Sequence, residues 1–317
     1  MNSKILIVGS GQLGSRYLQG LVSVSNSLDI FVYDISISSL KIAKERWKQA
    51  DGDKSHHTIS FVDSLENISN QLDLCIVATM ANQRLLAVKE VLKYSSVNYW
   101  ILEKVLVQSL EEIEELSNIL ESSESVWVNT PMHIWSLYKN LKEKIGTGKI
   151  LNFYFEDIRG LACNTIHYID LVFRWNQNSI QSIDTSGLDT KWYNAERNGF
   201  WDIYGNLKVN FSDGSTLLVS SKEKDRDFRV KVLDGSTIWI IDERKGYAEN
   251  NLGERIEGHC EYQSILTSSL VESILNGKGC NLPNLKQSSE QHRLYLISLL
   301  QHWNKTMPQK TTLLPIT

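Results

Sequence analysis

The segment Val8-Gly9-Ser10-Gly11-Gln12-Leu13-Gly14 constrains this chain more than any other. It fits G-x-G-x-x-G and falls between an apolar β-branched run, Ile5–Val8, and a stretch with helical spacing, Leu13–Val24. In that context the pattern predicts a strand, a tight turn and a helix whose first N–H groups receive a pyrophosphate. Gly9 suits the turn, Gly11 the close approach of backbone to phosphate, and Gly14 the packing of helix on strand. Gly9, Ser10, Gly11, Gln12, Leu13 and Gly14 are therefore the candidate cradle of a dinucleotide. Asp34 closes the second strand run at about the spacing, roughly 20 residues past the last glycine, of a ribose-binding acid. Its carboxylate would accept from ribose hydroxyls and repel a 2′-phosphate, so the pattern favours NAD over NADP.

The surrounding order supports a Rossmann domain. Apolar runs at Ile5–Val8, Ile30–Tyr33, Ile59–Val62, Leu74–Ala78, Tyr99–Leu102 and Val126–Val128 alternate with helical patterns at Leu13–Val24, Ser39–Gln49, Gln83–Lys93 and Leu110–Leu120. Such alternation predicts a doubly wound parallel sheet covered on both faces. After Pro131 the pattern changes. Helix at Leu137–Ile145 and strand at Ile150–Glu156 precede a strand-rich stretch from Ser179 to Asp242, with hairpin turns at Ser212–Ser215 and Leu233–Ser236. Helices return at Tyr262–Leu275 and Ser289–Trp303, and residues 307–317 are irregular with an apolar Leu313-Leu314-Pro315-Ile316. The expected fold class is α/β: an N-terminal Rossmann domain over 1–130, then an α+β substrate-binding and oligomerisation domain with a mostly antiparallel sheet over 131–317.

A length of 317 residues suits two such domains. The net charge of −4 offers no basic footprint for nucleic acid and no polybasic anchor for lipid. No apolar run has the length of a membrane span, and the chain enters a strand directly after Met1-Asn2-Ser3-Lys4 without a signal-peptide pattern. The four cysteines are scattered, with Cys75 inside an apolar run, which suits a reduced, cytoplasmic protein. No ligand cluster with metal-binding spacing occurs, so no metal is expected.

Two further motifs give the chain a resemblance. Ile101-Leu102-Glu103-Lys104-Val105 at the end of the fifth strand run resembles the Glu-Lys-Pro segment of the glucose–fructose oxidoreductase/inositol dehydrogenase (Gfo/Idh/MocA) family. Gly160 to Asp170, containing His167-Tyr168-Ile169-Asp170, resembles that family's glycine-to-His-x-x-Asp motif. The resemblance covers nearly the whole chain. It implies an NAD-dependent oxidoreductase acting on a hydroxyl or keto carbon of a sugar, nucleotide sugar or polyol. Lys104 and His167 are its catalytic pair, Thr79, Glu103 and Lys104 touch the cofactor, and Cys163 and Asn164 face substrate. It also implies a homodimer or homotetramer through the C-terminal sheet.

The residue chemistry is compatible with that pair. An alcohol dehydrogenation needs a base for the hydroxyl proton while hydride leaves for nicotinamide. Lys104, at the carboxyl end of a central strand, is placed where open α/β sheets bind ligands, and can stabilise alkoxide charge. With Asn164 as N-cap, His167 would lie in the first turn of a helix, where the dipole favours a neutral ring. His133, just after Pro131, and the mixed Lys191–Trp201 stretch, with Trp192, Tyr193, Arg197 and Trp201, are further substrate candidates. For most of the tryptophans, Trp239 among them, core packing is the expectation.

The chain departs from the family at three places. Val105 replaces the proline, Cys163 stands where an acid is common, and Thr79-Met80-Ala81-Asn82-Gln83-Arg84 replaces Thr-Pro-Asn-x-x-His. These departures resemble a branch tied to bacterial surface-sugar biosynthesis. They leave open NAD-assisted elimination or epimerisation without net redox change, and a non-catalytic NAD-binding protein.

Overall fold

A computed structural model describes residues 2–224 and 227–317; Asp225 and Arg226, within the strand-rich stretch, lie outside the described residues, as does Met1. The chain divides into two compact units. Unit 1 comprises Met1–Val107, Glu114–Asn129 and Glu261–Leu285, and unit 2 comprises Gln108–Ile113, Thr130–Cys260 and Lys286–Thr317. A single cut at 130/131 therefore does not describe the chain. The helix at 263–275 belongs with the first unit because it packs on the helix that follows the glycine loop.

Unit 1 holds a parallel sheet of strands β1 (Ser3–Val8), β2 (Leu28–Tyr33), β3 (Thr58–Val62), β4 (Gln71–Val77), β5 (Ser96–Leu102) and β6 (Ser125–Val128). Their order is β3-β2-β1-β4-β5-β6, the doubly wound arrangement of a Rossmann fold. Helices α1 (Gln12–Leu21), α2 (Ile37–Gln49) and α3 (Ala81–Tyr94) connect its strands. The central strands are buried on both faces: Ile5, Leu6, Ile7, Leu74, Cys75 and Ile76 are inaccessible to solvent. Continuous apolar strands of this kind are what a sheet covered on both sides requires.

Further along lie α4 (Leu110–Ile119), α5 (Ser136–Ile145), α6 (Leu161–Asn176), α7 (Gln263–Leu275) and α8 (Leu285–Thr306). In unit 1, α7 packs on α1, and a Cβ on Gly20 would come within 2.6 Å of the Ser264 carbonyl oxygen.

Unit 2 is built on β7 (Leu151–Glu156), β8 (Ile180–Asp184), β9 (Leu188–Asn194), β10 (Trp201–Phe211), β11 (Thr216–Ser221), β12 (Arg229–Asp234), β13 (Thr237–Asp242), β14 (Tyr247–Asn250) and β15 (Arg255–Glu257). The order is β15-β14-β13-β12-β7-β11-β10-β8, with β9 also on β10; β7 and β11 are parallel and the other pairs antiparallel. The turns at 212–215 and 235–236 join β10 to β11 and β12 to β13 as hairpins. One face carries Phe153, Phe155, Val219, Val230, Val232, Trp239 and Ile241, all buried. The other carries rows in register, among them Ile240, Lys231, Tyr154 and Leu218, that are only partly covered. Leu314 and Ile316 of the irregular tail are fully buried.

No described helix is long and apolar enough to cross a membrane.

Candidate active site

In unit 1 the glycine loop has three different geometries. Gly9 has φ +87°, a conformation other residues rarely adopt. At Gly14 an added Cβ would fall 1.8 Å from the Gly9 carbonyl oxygen, so backbone rather than a movable side chain excludes it. At Gly11 a Cβ would meet nothing within 4 Å. Gly9 and Gly14 are thus fixed by the chain's own packing, whereas nothing in the chain demands glycine at Gly11. Gly11 is the N-cap of α1, with φ −61° and no side-chain cap, and the N–H groups of Gln12, Leu13 and Gly14 begin the helix without intrahelical acceptors.

Asp34, half-buried at the end of β2, ties this loop down. Its Oδ2 accepts from the Ser10 N–H at 2.7 Å and the Ser10 hydroxyl at 3.0 Å, and its Oδ1 accepts from the Ser36 N–H at 2.8 Å. The link between Asp34 and the cradle is therefore direct. Arg46 on α2, which the sequence does not single out, donates to Gln12 Oε1 at 2.9 Å and to the Ser15 hydroxyl.

At the carboxyl ends of β4 and β5 lie Thr79, Glu103 and Lys104. Glu103 is buried; its Oε1 accepts from the Tyr17 hydroxyl at 2.5 Å and Asn129 Nδ2 at 2.6 Å, and Asn129 also donates to Gln263 at 2.8 Å. Burial, with the Glu103 carboxylate beside it, holds the Tyr17 phenol well above its ordinary pKa. Glu103 is thus spent on a buried network reaching α1 and α7. Lys104 is half-buried, and its peptide bond to Val105 is cis. Thr79 is half-buried, and its hydroxyl oxygen is buried.

In unit 2, α6 begins earlier than the sequence suggests. Its N-cap is Gly160 (φ +71°), not Asn164, because the Asp202 carboxylate on β10 accepts the Ala162 N–H at 2.8 Å and anchors the first turn there. Asn164 instead donates to the Arg159 carbonyl at 2.8 Å. His167 therefore sits in the second turn, beyond the reach over which the helix dipole acts strongly, and the dipole argument for a neutral ring falls. Asp202 was missed in the sequence because it lies 40 positions from its partner.

Between residues 161 and 172 only Cys163, Asn164, His167 and Tyr168 are half-buried, and the rest are buried. They form one stripe, i, i+1, i+4 and i+5, on an otherwise enclosed helix. Beside it, Tyr168 stacks on Phe155 at 4.0 Å, and the Tyr138 hydroxyl donates to Glu243 at 2.5 Å. Burial, then Glu243 and Cys163, push the Tyr168 phenol far up; burial also raises Glu243, against the lowering hydrogen bond from Tyr138. The Cys163 thiol donates to the Thr317 carbonyl oxygen, so the tail meets the position where an acid was expected.

Asp170, on the buried side of α6, has no solvent exposure. Its Oδ2 lies 3.2 Å from His133 Nδ1, its Oδ1 accepts from Gln291 at 3.2 Å, and Arg174 Nε is 3.8 Å away. His133 is thus engaged with Asp170. The Lys191–Trp201 candidates do not form one cluster. Trp192 is 3% exposed, packs on Trp303 at 4.9 Å and donates to the Thr306 hydroxyl; Trp201 meets Trp303 edge-on at 5.8 Å. Tyr193 stacks on Tyr204 at 4.1 Å, and Arg197 is exposed. Trp175 and Trp239 are core residues.

Solved structures similar to this chain include dehydrogenases and a reductase. UDP-N-acetylglucosamine 3-dehydrogenase from Acidithiobacillus ferrooxidans matches with TM-score 0.68 at 12% identity, over 94% of this chain and 96% of that one. Scyllo-inositol dehydrogenase from Lactobacillus casei, solved with NAD(H) and scyllo-inositol, gives 0.67 at 15% over 96% and 98%. The chain shares the fold of these dehydrogenases. Biliverdin reductase from Synechocystis sp. PCC 6803, in complex with biliverdin and NADP+, gives 0.72 at 11% over 94% and 98%. No protein-family model and no curated protein sequence matches the chain. The likeness is one of fold over nearly the full length of both partners, at identities too low to carry activity with it.

Proposed function

We propose that this chain is an NAD-dependent oxidoreductase acting on a hydroxyl or keto carbon of a sugar, nucleotide sugar or polyol. The observation that carries the reading is the contrast within the glycine loop: packing excludes a side chain at Gly14 yet leaves Gly11 without a neighbour, at the start of a helix. A pyrophosphate fits that cradle, since it needs backbone close by and N–H groups aimed at it. Asp34, already fixed by Ser10 and Ser36, disfavours a 2′-phosphate by charge and so supports NAD over NADP. Bound there, the dinucleotide supplies hydride transfer.

The chain's own contribution is proton handling. Lys104 donates to the substrate oxygen and stabilises its negative charge, and His167 accepts the hydroxyl proton, or returns it in the reverse direction. Support comes from the position of Lys104 directly after β5 and of His167 on the accessible stripe of α6, with Cys163 and Asn164 beside it. Thr79 contributes to the cofactor site, and Glu103 acts there by anchoring the segment that bears Lys104. Dehydrogenases of inositol and of a nucleotide sugar share the fold, which suits the substrate class.

The open face of the unit 2 sheet supports a homodimer or homotetramer. Ile240 is 56% exposed, with Tyr154 and Leu218 in its row, and Ile238 on the same face is 38% exposed. Four scattered cysteines, each in the thiol form, suit a reducing compartment such as the cytoplasm. Titration of the purified protein with NADH and NADPH tests the cofactor; binding of neither sinks the reading. NAD reduction is then screened with UDP-N-acetylglucosamine, free sugars and inositols, and sedimentation reads the assembly.

A further inference from the structure

Arg84 lies in the first turn of α3 and is 1% exposed. Burying a guanidinium costs several kcal/mol unless its donors are satisfied, and here they meet main-chain carbonyls. Nη1 donates to the carbonyl oxygens of Val105 and of Leu106, the latter at 2.9 Å, and Nη2 donates to that of Thr79. Thr79 follows β4 and Val105 follows β5, neighbouring parallel strands in register at Val77 and Leu102. One side chain thus ties together the two segments that leave adjacent strands at their carboxyl ends. Its charge also acts on Tyr17, the donor to Glu103. Lys104 is consequently flanked on one side by Glu103, held by Tyr17 and Asn129, and on the other by carbonyls held by Arg84.

We propose that Arg84 is a positioning residue for the nicotinamide half of the cofactor site, setting the Thr79 and Lys104 segments against which that half is bound. The proposal rests on the dinucleotide reading given above. Its physical basis is a division of labour along the strand ends. The glycine loop and Asp34, after β1 and β2, hold pyrophosphate and adenosine, while the segments after β4 and β5 lie toward the opposite half of the crevice at the carboxyl ends of the strands. Lysine cannot substitute, because one ammonium cannot present a planar fork to three carbonyls.

The test compares NADH with ADP-ribose, which has the adenosine, pyrophosphate and both riboses but no nicotinamide. Full-length wild type, Arg84→Lys and Arg84→Gln are titrated with each, and melting is followed alongside. The expected result is that both variants weaken NADH binding by about tenfold, equivalent to about 1.4 kcal/mol, while ADP-ribose affinity stays within about twofold. Equal losses for both ligands would make Arg84 a merely structural residue and overturn the proposal, as would unchanged NADH affinity. If wild type binds neither ligand, the dinucleotide reading itself fails. Having two variants guards against one that does not fold, and Arg84→Lys keeps the charge while removing the fork.

Discussion

The glycine loop of unit 1 and the α6 stripe of unit 2 present their chemistry in opposite ways. In the loop the proposed functional surface is main chain: Gly9, Gly11 and Gly14 contribute shape and N–H groups, and the side chains around them, Asp34 and Arg46, hold that shape. On α6 the proposed functional surface is side chain: Cys163, Asn164, His167 and Tyr168 project from a helix anchored elsewhere, by Asp202 at its start and Asp170 on its buried side. Added bulk should therefore damage the first site, and loss of a functional group the second.

The largest test of that contrast is His167→Asn. Removing a proton acceptor from an accessible stripe should lower turnover by about 10²–10⁴-fold with little change in melting temperature; normal turnover on a true substrate would remove His167 from the mechanism. Asp170→Ala should do the reverse. It removes the buried carboxylate that accepts from Gln291 and lies beside His133 and Arg174, and should cost about 3 kcal/mol in chemical denaturation. Next comes the glycine pair. Gly14→Ala should destabilise unit 1 by about 1–3 kcal/mol because backbone must move. Gly11→Ala should leave melting nearly unchanged yet weaken NADH binding; equal melting losses for the two would erase the distinction between a packed and an approached glycine.

The smallest effect is expected at Glu243. Burial raises its folded pKa, so the fold favours the protonated carboxyl; that contribution is complete below the unfolded value of about 4.3 and is lost as pH rises through the folded value. Glu243→Gln stays neutral and can still accept from Tyr138. Its melting temperature should exceed wild type at pH 7 and converge with it below about pH 4. A variant less stable than wild type at neutral pH would show that the Tyr138 hydrogen bond outweighs desolvation.

What could be read from the sequence follows the range of the interactions involved. The β1–α1–β2 unit is legible because its signals are local: apolar strands, a glycine turn, and an acid at the end of the next strand. Both hairpins of unit 2 are legible for the same reason. The start of α6 was misplaced because its anchor, Asp202, arrives from β10, and a local capping rule selected Asn164 instead. Arg84 was visible as a departure where a histidine is usual, but its three carbonyl acceptors depend on how β4 and β5 end in space. Trp192 and Trp201 are substrate candidates in the sequence, whereas Trp303 on α8 provides their packing partner.

The return of Glu261–Leu285 to unit 1 bears on how the protein is made. A ribosome delivers the glycine loop well before α7, with the strands of unit 2 between them, yet α1 packs against α7 through the close approach at Gly20. Until α7 emerges, a nascent chain carries a parallel sheet whose first helix has one side uncovered, while the strands of unit 2 are already being synthesised. Unit 1 is therefore completed only after most of unit 2 has been synthesised. A fragment cut at residue 130 would reproduce this waiting state, not the finished unit.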